Sequence, residues 1–140
     1  MGMTMSKRVA TCACGQLSVT VEGDPEIIVA CNCTWCQRRT GSPFGVAAYY
    51  KNERVSIKGT SKSFKRGVEG TERTLTNHFC PDCGSAVYWY ADLRAGQTGI
   101  AVGYFLDPKF PGPARAVWTQ HQHAWVKFPE GTPTFPRAAT

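Results

Sequence analysis

Seven cysteines in a chain of 140 residues fall into three spaced groups, and this pattern constrains the fold more than any other feature. Cys12 and Cys14 form a CxCG element. Cys31, Cys33 and Cys36 form CxCxxC, and Cys80 and Cys83 form CPxCG. Glycine after the second cysteine lets the chain turn tightly, so that amides point at sulfur, and Pro81 presets the turn after Cys80. The cysteine count is odd, and the opening MGMTMSKRVAT lacks the apolar core of a secretory signal. Cysteines in a reducing compartment are metal ligands or reactive thiols more often than disulfides, so a cytoplasmic protein is expected.

Two two-cysteine elements together supply one tetrahedral four-thiolate zinc site. Pairing Cys12 and Cys14 with Cys80 and Cys83 closes a long loop and clips the N-terminal segment to the central strands. Such a site has no open position, so its role is structural. Cys31, Cys33 and Cys36 are then one ligand short. The fourth ligand is either a protein group, with His78, His121 and His123 available, or an exchangeable molecule. His121 and His123 share a face if their segment is a strand. Three protein ligands plus an exchangeable one is the pattern of a catalytic zinc. Three thiolates make zinc a weak activator of water but suit it to holding another thiolate. The expected substrate is therefore a thiol or thioether adduct. Arg38 and Arg39 follow the cluster closely and suit the carboxylate of an anionic thiol such as glutathione; Arg38 is taken as the substrate contact and Phe44 as a pocket wall.

Net charge is +6, from 16 Lys and Arg against 10 Asp and Glu. The excess is spread along the chain, without the block of like charge that a nucleic-acid arm would show, so nucleic acid is not an expected partner. No apolar run approaches a membrane span, so no membrane partner is expected either. Gly2 and Ser6 fit a short acylation pattern, read here as part of an irregular tail. No Ser/His/Asp set, phosphate-binding glycine loop or paired carboxylate motif stands out. The oligomeric state is not legible.

Short apolar runs rich in valine, isoleucine and aromatics, punctuated by Gly and Pro, predict an all-β domain. Leu17, Val19 and Val21 alternate with polar residues. Further strands are expected at Ile27–Cys31, Phe44–Tyr50, Val55–Lys58, Ser63–Arg66, Arg73–Phe79, Ala86–Asp92, Thr98–Phe105 and His121–Phe128. A helical turn is expected over Thr34–Thr40. Residues 1–8 and 129–140 read as loose tails around a single domain at 9–128. Tyr49, Tyr50, Tyr88, Trp89 and Tyr90 read by default as core or sheet-face residues, and His78 as a satisfied structural histidine.

CACG, CNCTWCQRRTGSPFG and CPDCGS, in that order, resemble the glutathione-dependent formaldehyde-activating enzyme family, also called the centromere protein V/Gfa family. The resemblance covers roughly residues 9 to 105. HQHAWVKF is similar to the family's final strand, whereas PEGTPTFPRAAT departs from the aromatic-rich end expected after it. The resemblance implies a β-tent of three antiparallel sheets with zinc-ribbon-like knuckles. It implies a structural zinc on Cys12, Cys14, Cys80 and Cys83, and a second zinc on Cys31, Cys33 and Cys36 whose open position takes a thiol. The implied activity is that of a zinc-dependent carbon–sulfur lyase joining formaldehyde and glutathione. Two other readings stand beside it. One is a non-enzymatic zinc module for protein or nucleic-acid interaction. The other is a redox sensor whose CxCxxC cluster oxidises when zinc is lost.

Overall fold

The computed structural model describes residues 6–139. Gly2 of the acylation pattern lies outside the described residues. The chain first makes a hairpin of β1 (Lys7–Thr11) and β2 (Ser18–Glu22), to which β5 (Val55–Lys58) adds along β2. The remaining strands are β3 (Ile27–Cys31), β4 (Gly45–Lys51), β6 (Lys62–Gly67), β7 (Thr74–Phe79), β8 (Ala86–Ala91), β9 (Gln97–Ala101) and β10 (Arg115–Val117). They form one sheet in the order β10-β3-β4-β9-β8-β7-β6. Among the described residues a single short α-helix, α1 (Thr34–Thr40), follows β3. Among the described residues no helix is long and apolar enough to cross a membrane.

The fold is therefore predominantly β, with two hydrogen-bonded sheets where the family resemblance implies three. Because β9 pairs with both β4 and β8, strands on either side of it join in one continuous ladder. Nor is the pairing all antiparallel, since β10 runs parallel to β3, with Val117 opposite Cys31.

Side chains alternate across a strand, so the large sheet has two distinct faces. Ile28, Ala48, Tyr50, Tyr88 and Ile100 point one way and pack with Ala10, Leu17, Val19 and Val21 from the small sheet. This is the main core. Val29, Cys31, Gly45, Ala47, Tyr49 and Trp89 face the other way and line a cavity. Full burial of each large core side chain contributes about 1.5–3 kcal/mol. A one-residue slip of β3 or β4 would exchange core for cavity, so the core itself fixes the register of the cavity residues.

Three segments of the chain differ from their sequence reading, and one of them is the strand expected at Thr98–Phe105, which ends at Ala101 and gives way to a 3-10 turn over Val102–Phe105. Lys7 and Arg8, placed in the tail, begin β1 and pair with Glu22 and Val21. No strand spans His121–Phe128. Trp118, at φ 57, ends β10 and starts a 3-10 turn over Thr119–His121. A bulky residue at positive φ costs on the order of 1–3 kcal/mol and persists only where its surroundings determine it. Here the stacking of His121 and Arg137 on the Trp118 ring does so. The irregular segment after Pro129 folds back along β10. Thr134 bridges to Ala116, and the carbonyls of Phe135 and Arg137 accept from Thr119 and Trp118.

His78 on β7 is stacked on Tyr88, with 4.7 Å between ring centres, and its Nδ1 lies 3.0 Å from the Ser61 hydroxyl. Burial holds its pKa below the ordinary histidine value. The unfolded chain therefore binds this proton more readily than the folded one, and stability falls as pH drops below the unfolded value near 6.5. Thermal melts of the wild type between pH 7 and pH 5 should show a decline that His78→Gln flattens. Parallel curves for the two proteins would contradict this.

Candidate metal centres

The first cysteine cluster lies where the two sheets meet. Cys12 directly follows β1 of the small sheet, while Cys80 and Cys83 occupy the turn between β7 and β8 of the large one. Gly15 and Gly84, at φ 86 and 78, make the reversals that bring the second cysteine of each pair inward. The amide of Gly84 donates to the Cys80 carbonyl at 2.8 Å. Cys14 Sγ lies 3.7 Å from both Cys12 Sγ and Cys80 Sγ. A metal–sulfur bond of about 2.3 Å gives a tetrahedron whose edge is about 3.8 Å. Two sulfur–sulfur distances thus match that edge, and all four sulfurs lie within 4.8 Å of one another, close enough to share one ion.

Donors surround these sulfurs. Leu17 N–H donates to Cys12 Sγ at 3.3 Å, and Gln16 Nε2 donates to Cys80 Sγ at 3.1 Å. The Ser85 hydroxyl and amide, with the Cys14 amide, hold the Cys83 thiol down at about 5. Such donors favour the thiolate form that a metal requires. Gln16 belongs to neither cysteine element, and nothing in the sequence singles it out.

Cys31, Cys33 and Cys36 form the second cluster, with sulfurs within 4.8 Å of one another. Cys31 ends β3 between Val117 of β10 and Gly45 of β4. Cys33 caps α1, its Sγ accepting from Cys36 N–H at 3.2 Å, and Gly41 ends that helix at φ 64. Asn32, fully buried, gives both its backbone N–H and its Nδ2 to the Val117 carbonyl, which fixes the exit of β3. Gln37 Nε2 ties α1 to the carbonyls of Asn32 and His121. Hydrogen bonds from the Cys31 and Cys36 thiols hold the Cys33 thiol well below its ordinary value. The Cys33 and Cys36 bonds, with burial, push Cys31 well up.

Two cysteine clusters that can hold a metal ion are thus present, but they differ. The first has four donors, and the second has three. Among the described residues no His, Asp or Glu joins the second cluster. His121 Nε2 is turned to Glu69 at 3.2 Å, and His123 Nε2 faces Gln37 Oε1 at 3.4 Å. His78 lies beside Tyr88, on the other face of the sheet. Closure by a histidine, open on sequence grounds, is not what the structure contains.

The second cluster opens into a cavity of about 130 Å³ between the large sheet, α1, the β6–β7 loop and the C-terminal segment. Its floor is apolar. Arg39, Arg66, Arg73, Arg94 and Arg115 line it, against one acidic residue, Glu69. Among the described residues none of these arginines forms a carboxylate ion pair, whereas Glu69 is bridged to His121 and Arg137. Arg39 lies over the Trp89 ring at 4.4 Å and Arg94 over the Tyr49 ring at 4.9 Å. Burial raises the Tyr49 phenol above its ordinary value.

Two expected substrate contacts fall elsewhere. Arg38 does not line the cavity; its guanidinium lies over Trp35 at 5.2 Å. Phe44 packs edge-on against Phe128 at 5.2 Å and lines a second cleft beside Cys12 and Cys14. Gly45 faces the cavity, so Phe44, one residue earlier, faces away. Arg39 takes the place given to Arg38, and Tyr49 and Trp89, read as sheet-face residues, belong to the cavity lining.

A family model for the glutathione-dependent formaldehyde-activating enzyme matches residues 7–121. A Penicillium rubens protein, provisionally named as such an enzyme, is 30% identical over 120 residues. That match covers 80% of this chain, which spans 62% of the relative's length. The crystal structure of a Rhodobacter sphaeroides protein is similar in fold, with a TM-score of 0.56 and 18% identity, over 91% of this chain and 98% of that one.

Proposed function

Because this chain belongs to the glutathione-dependent formaldehyde-activating enzyme family, we propose that it is a zinc-dependent carbon–sulfur lyase acting on an adduct of a glutathione-type thiol. The observation that carries this reading is the contrast between the clusters. One has four sulfurs close enough to share one ion. The other has three and opens into a cavity rimmed by arginines that form no carboxylate ion pair among the described residues. In this reading the family's three-sheet β-tent is the common plan from which the continuous ladder here derives.

Cys12, Cys14, Cys80 and Cys83 would hold a structural zinc, and Cys31, Cys33 and Cys36 a second one. When bound, the second zinc supplies a positive centre that keeps an added thiol in its thiolate form. The protein's own residues do the rest. Arg39, Arg66, Arg94 and Arg115 present guanidinium groups suited to the carboxylates of the thiol. The apolar floor strengthens polar contacts made at the reacting carbon. In this reading the adduct's sulfur and its one- or two-carbon group lie in the cavity beside the cysteines, and the carboxylates of the tripeptide lie among the arginines that line it.

The test is exchange NMR of glutathione with formaldehyde, where adduct formation also proceeds without catalyst. The zinc-loaded protein is expected to raise the exchange rate in proportion to its concentration. A rate equal to that with Cys33→Ser protein would refute the lyase.

A second reading has its own support. Two metal-holding clusters alone suffice for a non-enzymatic zinc module, and one exposed surface suits a partner. Trp35 lies between the guanidinium groups of Arg38 and Arg66, at 5.2 and 5.5 Å, and against exposed Phe64 at 6.1 Å. Arginines interleaved with aromatics form a stacking platform for single-stranded nucleic acid. This reading predicts salt-dependent oligonucleotide binding that Trp35→Ala weakens and that leaves the exchange rate untouched.

A further inference from the structure

Inside the cavity, one hydroxyl is held in a fixed orientation. Tyr49 lies on β4 in line with Gly45 and Ala47, on the face shared with Cys31. Its hydroxyl oxygen is 3.2 Å from Trp89 Nε1. An indole N–H only donates, so the phenol oxygen accepts this bond and its own proton is left to point elsewhere. Among the described residues no second polar group meets that hydroxyl. Tyr49 therefore has a donor to spare, on the wall of the cavity that the three cysteines open into.

The surroundings fix this hydroxyl. Gly99 of β9 stands between Tyr49 and Trp89, paired with both. A Cβ there would overlap Trp89 Nε1 and its neighbouring ring atoms. Only glycine leaves room for the indole to lie across β9 and reach the phenol. Arg39 lies on the Trp89 ring, Trp89 stands edge-on to Tyr49 at 81°, and Arg94 covers the Tyr49 ring. Gly99 and two cation–π contacts thus surround this one N–H···O bond.

We infer that Tyr49 is a catalytic hydrogen-bond donor, placed to bind the oxygen on the carbon next to the substrate sulfur. The inference rests on the lyase reading and adds to it a residue and an atom. In the joining direction a sulfur lone pair forms the C–S bond to an aldehyde carbon. The carbonyl π pair moves onto oxygen, which receives the Tyr49 O–H hydrogen bond and takes its proton from solvent. In the cleaving direction the oxygen gives that proton back to solvent, the carbonyl re-forms, and the C–S pair returns to sulfur. A donor preset toward developing negative charge acts most where the cavity is apolar.

Tyr49→Phe removes only the hydroxyl. The full-length zinc-loaded variant is expected to lose about 10²-fold in kcat for adduct exchange. Its zinc content, melting temperature and KM for glutathione should stay at wild-type values, which a merely structural role would not predict. Binding supplies a readout independent of turnover. By calorimetry the wild type should prefer S-acetylglutathione, whose oxygen is on the carbon next to sulfur, to S-isopropylglutathione, its near-isostere without that oxygen, by about 5-fold, the worth of one hydrogen bond, and Tyr49→Phe should abolish that preference. An unchanged kcat in the variant, or an oxygen preference that is absent from the wild type or survives the substitution, overturns the inference. A wild type that does not accelerate exchange refutes the lyase reading instead, and the calorimetric pair then still decides Tyr49. If Tyr49→Phe fails to fold, Trp89→Phe takes its place. Loss of the preference there supports the inference, and retention overturns it.

Discussion

Cys80→Ser is expected to yield a chain without a cooperative fold. Cys80 is fully buried and sits in the turn between β7 and β8, while Cys12 and Cys14 follow β1 of the other sheet. A metal on these four sulfurs therefore joins the two sheets across the main core. Binding energy at such a site is folding energy, about 10–16 kcal/mol in zinc-finger peptides, against about 5–15 kcal/mol for the whole stability of an ordinary domain. The serine also leaves a buried hydroxyl facing sulfurs that have lost their metal. Circular dichroism and amide NMR dispersion of the purified variant measure the outcome. A cooperative melt within a few degrees of the wild type would show that the first cluster does not hold the sheets together.

The opposite is expected for Cys33→Ser: loss of function with the fold retained. Cys33 belongs to the second cluster and caps α1 through its sulfur. Serine is among the best helix N-caps, so its hydroxyl can take over the bond from the Cys36 amide. The cluster loses one of its three sulfurs and keeps only Cys31 and Cys36, too few to hold zinc tightly. The variant should contain one zinc per chain, melt close to the wild type and show no protein-dependent exchange of the glutathione adduct. An unfolded variant would make the second cluster structural. Full activity would place the chemistry elsewhere.

These opposite outcomes follow from a division already visible in the sequence. The cysteine spacing separates four ligands from three, and the structure brings together each group that the spacing proposes. Ile27–Cys31, Val55–Lys58 and the helix at Thr34–Thr40 are also legible, because apolar runs and capping residues act locally. The cavity is less so. Which of two adjacent arginines turns inward depends on the rotation of α1 about its axis, and that is set by Gln37 binding carbonyls from two distant segments. Phe44 is adjacent to the cavity in sequence and faces away from it, because pairing of Gly45 with Cys31 decides the faces of β4. The strand expected at His121–Phe128 does not form, and Trp118 at positive φ turns the chain just before it. Tyr49 carries no motif. Only the placement of β9, with its glycine opposite both partners, sets the Trp89 indole against its hydroxyl. Long-range pairing of this kind leaves no mark in a window of neighbouring residues.

The central claim is that the second cluster holds a zinc whose fourth position belongs to a substrate thiol. Metal content per chain, followed by titration of the cobalt-substituted protein with glutathione while the sulfur-to-cobalt absorption is recorded, tests it most directly. The account predicts two metals per chain and a saturable spectral change with glutathione that Cys33→Ser abolishes. One metal per chain, or two metals with a spectrum that no small thiol alters, would contradict it.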